Sequence, residues 1–227
     1  MIPWIRGNAP FPPITKALHA PNGLLCAGAD LSPDRLLSAY SQGIFPWYSE
    51  GDPILWWSPD PRMVLFPNEL RISHSLKKTL ARGIFETRFD TAFGDVIEQC
   101  AAPRDGRAGT WIVPEMVAAY KVLHERGFVH SVESWRDGEL MGGLYGMALG
   151  KVFFGESMFT RAHDASKVAL VKLVERLTAE GFRLIDCQQA TSHLASLGAR
   201  EIPRAEFAQR VRESIQYPLS GSKWTPV

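Results

Sequence analysis

Cysteine is scarce in this 227-residue chain: Cys26, Cys100 and Cys187, with no Cys-x-x-Cys pair among them. Such an odd, dispersed set argues against a disulfide framework and against a zinc ribbon. Charge of one sign is also missing, since 25 Lys and Arg stand against 24 Asp and Glu, a formal net charge of +1. No global field advertises a nucleic-acid partner, so any RNA contact has to come from a local basic patch. The most apolar stretch, residues 140–155, is interrupted by Gly142, Gly143, Gly146, Gly150 and Lys151. A membrane span needs about 20 predominantly apolar residues, so no membrane partner is expected. The opening MIPWIRGNAPFPPITKAL has no basic start followed by an apolar run, which speaks against a secretory signal. The expected setting is the reducing cytoplasm.

The familiar catalytic signatures are absent too. There is no Gly-x-x-x-x-Gly-Lys-Ser/Thr, no Gly-x-Ser-x-Gly and no His-Glu-x-x-His. Gly142, Gly143 and Gly146 interrupt strand-like sequence and open no helix, so close backbone packing or a bulge suits them better than a phosphate loop. His124, His130 and His163 are dispersed, with His130 expected in a half-buried strand, and no metal site is expected.

What is present divides unevenly. Residues 1–60 hold nine of the sixteen prolines and four of the seven tryptophans. One helix is legible there: Ser32-Pro33 supplies the N-cap and first-turn proline, Leu36, Leu37 and Tyr40 form an apolar face, and Gly43 stops it. We read residues 1–61 as a small, proline-stiffened N-terminal domain and residues 62–227 as a second domain in which strands and helices alternate. In the second, strands are expected at 63–66, 84–89 and 182–187, and an antiparallel meander at 129–135, 139–148 and 151–154. Helices are expected at 73–82, 92–101, from Pro114 to the stop at Gly127, at 166–180 and at 205–216. This order is α+β and compatible with the acyl-CoA N-acetyltransferase fold.

Three clusters carry possible chemistry. Glu156, in Gly155-Glu156-Ser157-Met158-Phe159, follows the apolar run Val152-Phe153-Phe154 and is either a carboxylate at the end of a buried strand or a turn glutamate facing water. In Leu184-Ile185-Asp186-Cys187-Gln188, the strand period places Asp186 and Gln188 on one face and Ile185 and Cys187 on the other. An acid and an amide on a buried strand need partners, in an active-site relay or in a structural network. Trp47, Trp56, Trp57 and Trp111 all lie beside turn residues, where aromatics can stack on nucleobases. For Trp56 and Trp57, core filling is the preferred reading. The helix at 73–82 carries His74, Lys77, Lys78 and Arg82, either a solvated face or a phosphate contact.

At these clusters the chain resembles the leucyl/phenylalanyl-tRNA–protein transferase family. The segments that carry the resemblance are PNGLL with GADLS (21–32), YSQGIFPW (40–47), DPILWWSPDPR (52–62), GTWI (109–112) and HSVE (130–133). They continue with GGLYG (142–146), GESMF (155–159), ASK (165–167), LIDCQ (184–188) and HLASLGAREIP (193–203). The last twenty or so residues add nothing diagnostic. The resemblance implies a small N-terminal domain and an acetyltransferase-like catalytic domain. It also implies transfer of Leu, Phe and less readily Met from aminoacyl-tRNA to proteins beginning with Arg or Lys, which marks them for degradation by the N-end rule. No cofactor is implied, and the chain is expected to act as a monomer.

By position, the resemblance matches Trp47 and Trp111 to the grip on the tRNA's terminal adenosine. It matches Leu144, Phe153, Met158 and Ile185 to the pocket for the transferred side chain, and Glu156, Asp186 and Gln188 to the acceptor-binding and catalytic polar group. Lys77, Lys78 and Arg82 fall where the family contacts the acceptor stem. Leu144 replaces a frequent Met, Thr160 a frequent Ser, and Leu173 and Leu177 stand where some members carry Phe, changes that bear on the pocket's shape. Since the ester is already activated, orientation alone can supply roughly 7–11 kcal/mol of barrier reduction. In that picture Gln188 bonds the attacking amine, Asp186 orients Gln188 and stabilises charge, and Glu156 helps hold the cationic acceptor residue. The rival readings are an acyl-CoA-dependent acetyltransferase, an RNA-binding module and a cell-wall aminoacyltransferase with the same donor.

Overall fold

The N-terminal sequence holds more order than its single legible helix suggests. The computed structural model describes residues 2–103, 112–215, 219 and 221–224. Short strands β1 (Trp4–Ile5), β2 (Leu24–Gly28), β3 (Phe45–Pro46) and β4 (Leu55–Trp57) build a four-stranded sheet in the order β1-β2-β4-β3. β1, β3 and β4 are too short for alternation to be readable, and β2 is buried at four of its five residues and so shows none, which is why only helix α1 (Pro33–Ser41) stands out. Ser32 caps that helix, its side chain accepting from the Arg35 amide at 3.4 Å. Trp56 fills the core as expected, fully buried, with its indole N–H given to the Gly28 carbonyl at 2.9 Å.

The remaining strands form one seven-stranded mixed sheet in the order β11-β5-β10-β9-β8-β7-β6. They are β5 (Arg62–Leu65), β6 (Glu86–Phe89), β7 (Val129–Arg136), β8 (Glu139–Leu149), β9 (Val152–Thr160), β10 (Leu184–Gln188) and β11 (Arg200–Ile202). The helices are α2 (His74–Arg82), α3 (Phe93–Ala101), α4 (Pro114–Glu125), α5 (Ala165–Ala179), α6 (Ser192–Ser196) and α7 (Arg204–Ser214). The class is α+β, as expected. Period-two alternation sorts the core between two faces. Leu144, Phe153 and Ile185 pack with the α5 residues Val168, Leu170 and Leu173, whereas Tyr145 and Phe154 pack with α3 and α4 through Val96, Ile97, Met116 and Tyr120. The second of these clusters runs on without a break into Tyr40, Phe45 and Trp56, so the two sheets share a core.

The glycines of β8 serve close packing, as expected. A Cβ on Gly142 would stand 2.7 Å from that of Ala165, and one on Gly146 would stand 2.5 Å from the Phe153 ring. Gly146 also sits at a register shift between β8 and β9. The strand expected at 151–154 is longer than the sequence suggests: β9 continues alongside β8 to Thr160, with Glu156 the one residue the pairing skips, a bulge between Gly155 and Ser157, so Glu156 lies inside a strand and not at its end. His130 is fully buried, not half-buried. Trp224, near the C-terminus, stacks on His130 (4.1 Å between centroids, 8° between planes) and on Phe153 (6.0 Å, 22°).

Candidate active site

Two neighbouring strands part company at the centre of the large sheet. β10 runs parallel to β9 only over Leu184–Asp186 against Val152–Phe154. Beyond that, β10 ends in Gln188 at φ 61°, while β9 carries on beside β8. Separation of the strands opens a cavity of about 340 Å³ between them, closed from one face by α5 and α6. Leu144, Phe153, Met158 and Ile185, the residues matched to a side-chain pocket, all line it, together with Leu170 and Leu173. Glu156 and Asp186 are on its wall as well.

Glu156 is buried among hydroxyls. Tyr40 of α1 donates to its Oε1 at 2.7 Å, Gln188 Nε2 donates to the same oxygen at 3.0 Å, and Tyr120 of α4 donates to Oε2 at 3.0 Å. The two tyrosine oxygens lie 2.5 Å apart. Burial lifts the Glu156 pKa from 4.5 to about 7, opposed by the two tyrosine hydrogen bonds. Burial, and then the Glu156 charge, hold both tyrosines well above their ordinary range, so they stay protonated donors. A carboxyl group poised near neutrality and aligned by three donors can accept or return a proton near pH 7.

Asp186 is placed differently from its expected face-sharing with Gln188. Its carboxylate is held in a two-bond fork by Arg62, with Nε to Oδ1 at 2.8 Å and Nη2 to Oδ2 at 2.6 Å, and both side chains are buried. The Arg62 guanidinium is itself sandwiched by Phe45 (4.7 Å) and Phe207 (4.6 Å). Asp186 Oδ1 also accepts the Gln188 backbone N–H at 2.9 Å. The irregular register between Asp186 and Gln188 breaks the simple alternation, because the positive φ of Gln188 swings its amide toward Glu156. Cys187 lines the cavity beside Ile185.

Among the described residues, the other expected site residues do not meet at this cavity. Trp47 is half-buried in the N-terminal part, packed against Trp57 (5.4 Å) and accepting its indole N–H on the backbone carbonyl. Trp111 lies outside the described residues. Lys77, Lys78 and Arg82 are exposed along α2, which is anchored by buried Leu76 and by the Thr79 hydroxyl on Asp164 at 3.0 Å. Arg62, Tyr40 and Tyr120 are the site residues that sequence reasoning misses. The signal for them is a charge and two hydroxyls in otherwise apolar patterns, which need buried partners.

A proton-handling carboxyl beside an apolar pocket is the equipment of a group-transfer enzyme, and comparison with known proteins specifies which. The leucyl/phenylalanyl-tRNA protein transferase family model matches residues 64–212, and the model of that family's N-terminal domain matches residues 29–60. A leucyl/phenylalanyl-tRNA–protein transferase of Nitrosospira multiformis is 62% identical over 224 residues, covering 99% of this chain and 97% of the relative. One of Pseudomonas entomophila is 60% identical over 225 residues, covering 99% of each. The chain belongs to the leucyl/phenylalanyl-tRNA–protein transferase family and is a transferase. Among solved structures, L-PGS from Bacillus licheniformis aligns over 80% of this chain and 62% of its own, at 10% identity and a TM-score of 0.39. A likeness of that size bears on neither fold nor activity. Among the described residues, no helix is long and apolar enough to cross a membrane.

Proposed function

We propose that this enzyme moves Leu, Phe and less readily Met from aminoacyl-tRNA to the α-amine of proteins beginning with Arg or Lys, marking them for N-end rule degradation. The observation that carries the reading is the coincidence of an apolar cavity of about 340 Å³ with the poised Glu156 on one wall. Leu, Phe and Met side chains are unbranched at Cβ, and a pocket walled by Leu144, Phe153, Met158 and Ile185 suits them. Since one methylene discriminates by only about 1–3 kcal/mol, rejection of β-branched Ile and Val has to come from shape.

In this reaction the acceptor nitrogen attacks the ester carbonyl carbon, the C–N bond forms, and the ester C–O bond breaks. The terminal adenosine's ribose hydroxyl leaves. Glu156 takes the proton shed by the amine and returns it to that departing oxygen. Gln188 gives its amide N–H to Glu156 and keeps its carbonyl for the incoming amine. Asp186 acts on the amine through Gln188, whose backbone it fixes while Arg62 neutralises its charge.

Trp47 and Trp111 hold the terminal adenosine, and the exposed Lys77, Lys78 and Arg82 meet acceptor-stem phosphates. The enzyme works as a cytoplasmic monomer without a cofactor, its two domains dividing after residue 61. Radiolabelled leucine presented as Leu-tRNA tests the reading: label is expected on an Arg-initial peptide and not on an otherwise identical Ala-initial one. Intact Leu-tRNA with no transfer to either peptide would overturn it.

A further inference from the structure

β11 stands at one edge of the large sheet and pairs on one side only, with β5. Among the described residues, nothing bonds the backbone N–H and C=O groups on its outer side. Such an edge is a ready template for another extended chain. Its position ties it to the active site. β10, β5 and β11 are successive neighbours, and their registers put Gln188, Met63 and Glu201 in one row across the sheet. At about 4.8 Å from strand to strand, Glu201 lies about 10 Å from Gln188.

A groove of about 310 Å³ accompanies that row, between α6 and β11. Met63, Ala190, Ala195 and Ala199 line it, with Glu201 on the β11 side. It shares Thr191 with the catalytic cavity, so the two spaces adjoin where α6 begins. Glu201 is exposed, and among the described residues its carboxylate has neither a hydrogen bond nor an ion pair. Its neighbour Arg200 is already held by Glu69, at 3.0 Å.

The acceptors of the proposed reaction share their first residue and little else. Whatever holds the residues behind it has to read backbone and tolerate varied side chains, as strand addition does. Alanines along the groove leave room for that variety. We propose that the acceptor polypeptide leaves the active site through this groove, with its first residue at Glu156 and Gln188, the next three over Met63, and those that follow paired to the outer edge of β11. An extended chain advances about 3.3 Å per residue, so three residues cover the interval to Glu201. The uncommitted Glu201 carboxylate favours Lys or Arg over Asp or Glu at the acceptor's third and fourth residues. The inference rests on the reading that protein N-termini are the acceptors.

Leucine transfer from Leu-tRNA by the full-length enzyme, to Arg-initial octapeptides, is the test. In one series each backbone N–H is methylated in turn. Methylation at one or more of residues five to seven is expected to raise the peptide KM about two- to tenfold and leave kcat unchanged, since it removes a ground-state hydrogen bond. In a second series residues three and four are Lys or Glu. Wild type is expected to favour Lys, and Glu201→Lys, altered at an exposed position, to keep the wild-type melting temperature and favour Glu. A KM indifferent to methylation at residues five to seven, or the same Lys-to-Glu ratio in both proteins, would overturn the inference and leave the proposed function standing. Absence of transfer to every Arg-initial peptide would overturn both.

Discussion

Replacing Glu156 by Gln should make the folded protein more stable and the enzyme slower, with both effects governed by pH. The folded-state pKa is about 7 against 4.5 for the free side chain. Between those values the folded protein keeps a proton that the unfolded chain has released, so the Glu156 contribution to stability falls as pH rises. At about 1.36 kcal/mol per pH unit, the whole displacement corresponds to about 3 kcal/mol. It is fully present below pH 4.5 and fully lost above about pH 7. The amide introduced by Glu156→Gln cannot ionise, and it can still join the hydroxyls of Tyr40 and Tyr120. Urea denaturation of both proteins across that range should therefore show the variant gaining about 3 kcal/mol on wild type from the acid to the neutral end. Parallel stability curves would refute the argument that burial holds this carboxyl near neutrality. Turnover supplies an independent check. Wild-type kcat/KM should climb through about pH 7, whereas the variant should lose that limb and about 10²–10⁴-fold in rate. Full activity in the variant would remove Glu156 from proton transfer.

Three further outcomes follow from the packing. Asp186→Ala strands Arg62 in the core, which should destabilise the protein by about 3–5 kcal/mol in denaturant titration, while Arg62→Met with Asp186→Leu should restore much of that loss. Trp224→Ala removes the ring stacked behind Phe153. It should cost about 3–5 kcal/mol of stability and, in donor competition, weaken discrimination against Ile, which unchanged Leu-to-Ile ratios would disprove. Replacing Lys77, Lys78 and Arg82 together by Ala should raise KM for aminoacyl-tRNA and flatten its dependence on salt, since fewer counterions are then released. An unchanged salt slope would leave α2 as a solvated face.

Much of the large sheet can be read from the chain because its strands and helices are long enough to display a period. α4, with Met116, Tyr120 and Leu123 turned inward, and α5, between Asp164 and Gly181, are visible for that reason. β1, β3 and β4, of two or three residues each, carry no period to detect. Gly155 and Glu156 disguise the second half of β9, since a glycine followed by an acid resembles a turn when the partner strand is unknown. The polar trio of Glu156, Asp186 and Gln188 is legible as chemistry, but its wiring is not. Arg62 lies 124 residues from Asp186, and Tyr40 lies 116 from Glu156. No local pattern encodes such pairings. A charge at the head of the apolar strand Arg62–Leu65 and another inside Leu184–Gln188 are the traces they leave, each implying the other.

The span of those pairings means that a growing chain cannot become active piecemeal. Tyr40 leaves the ribosome before Tyr120, and Tyr120 before Glu156 and Gln188, yet the four meet around one carboxyl. Trp224, which braces the pocket wall through Phe153, emerges after all four of them. Pocket and proton-handling group therefore come into being together, only once residues as far apart as Tyr40 and Trp224 are all in place.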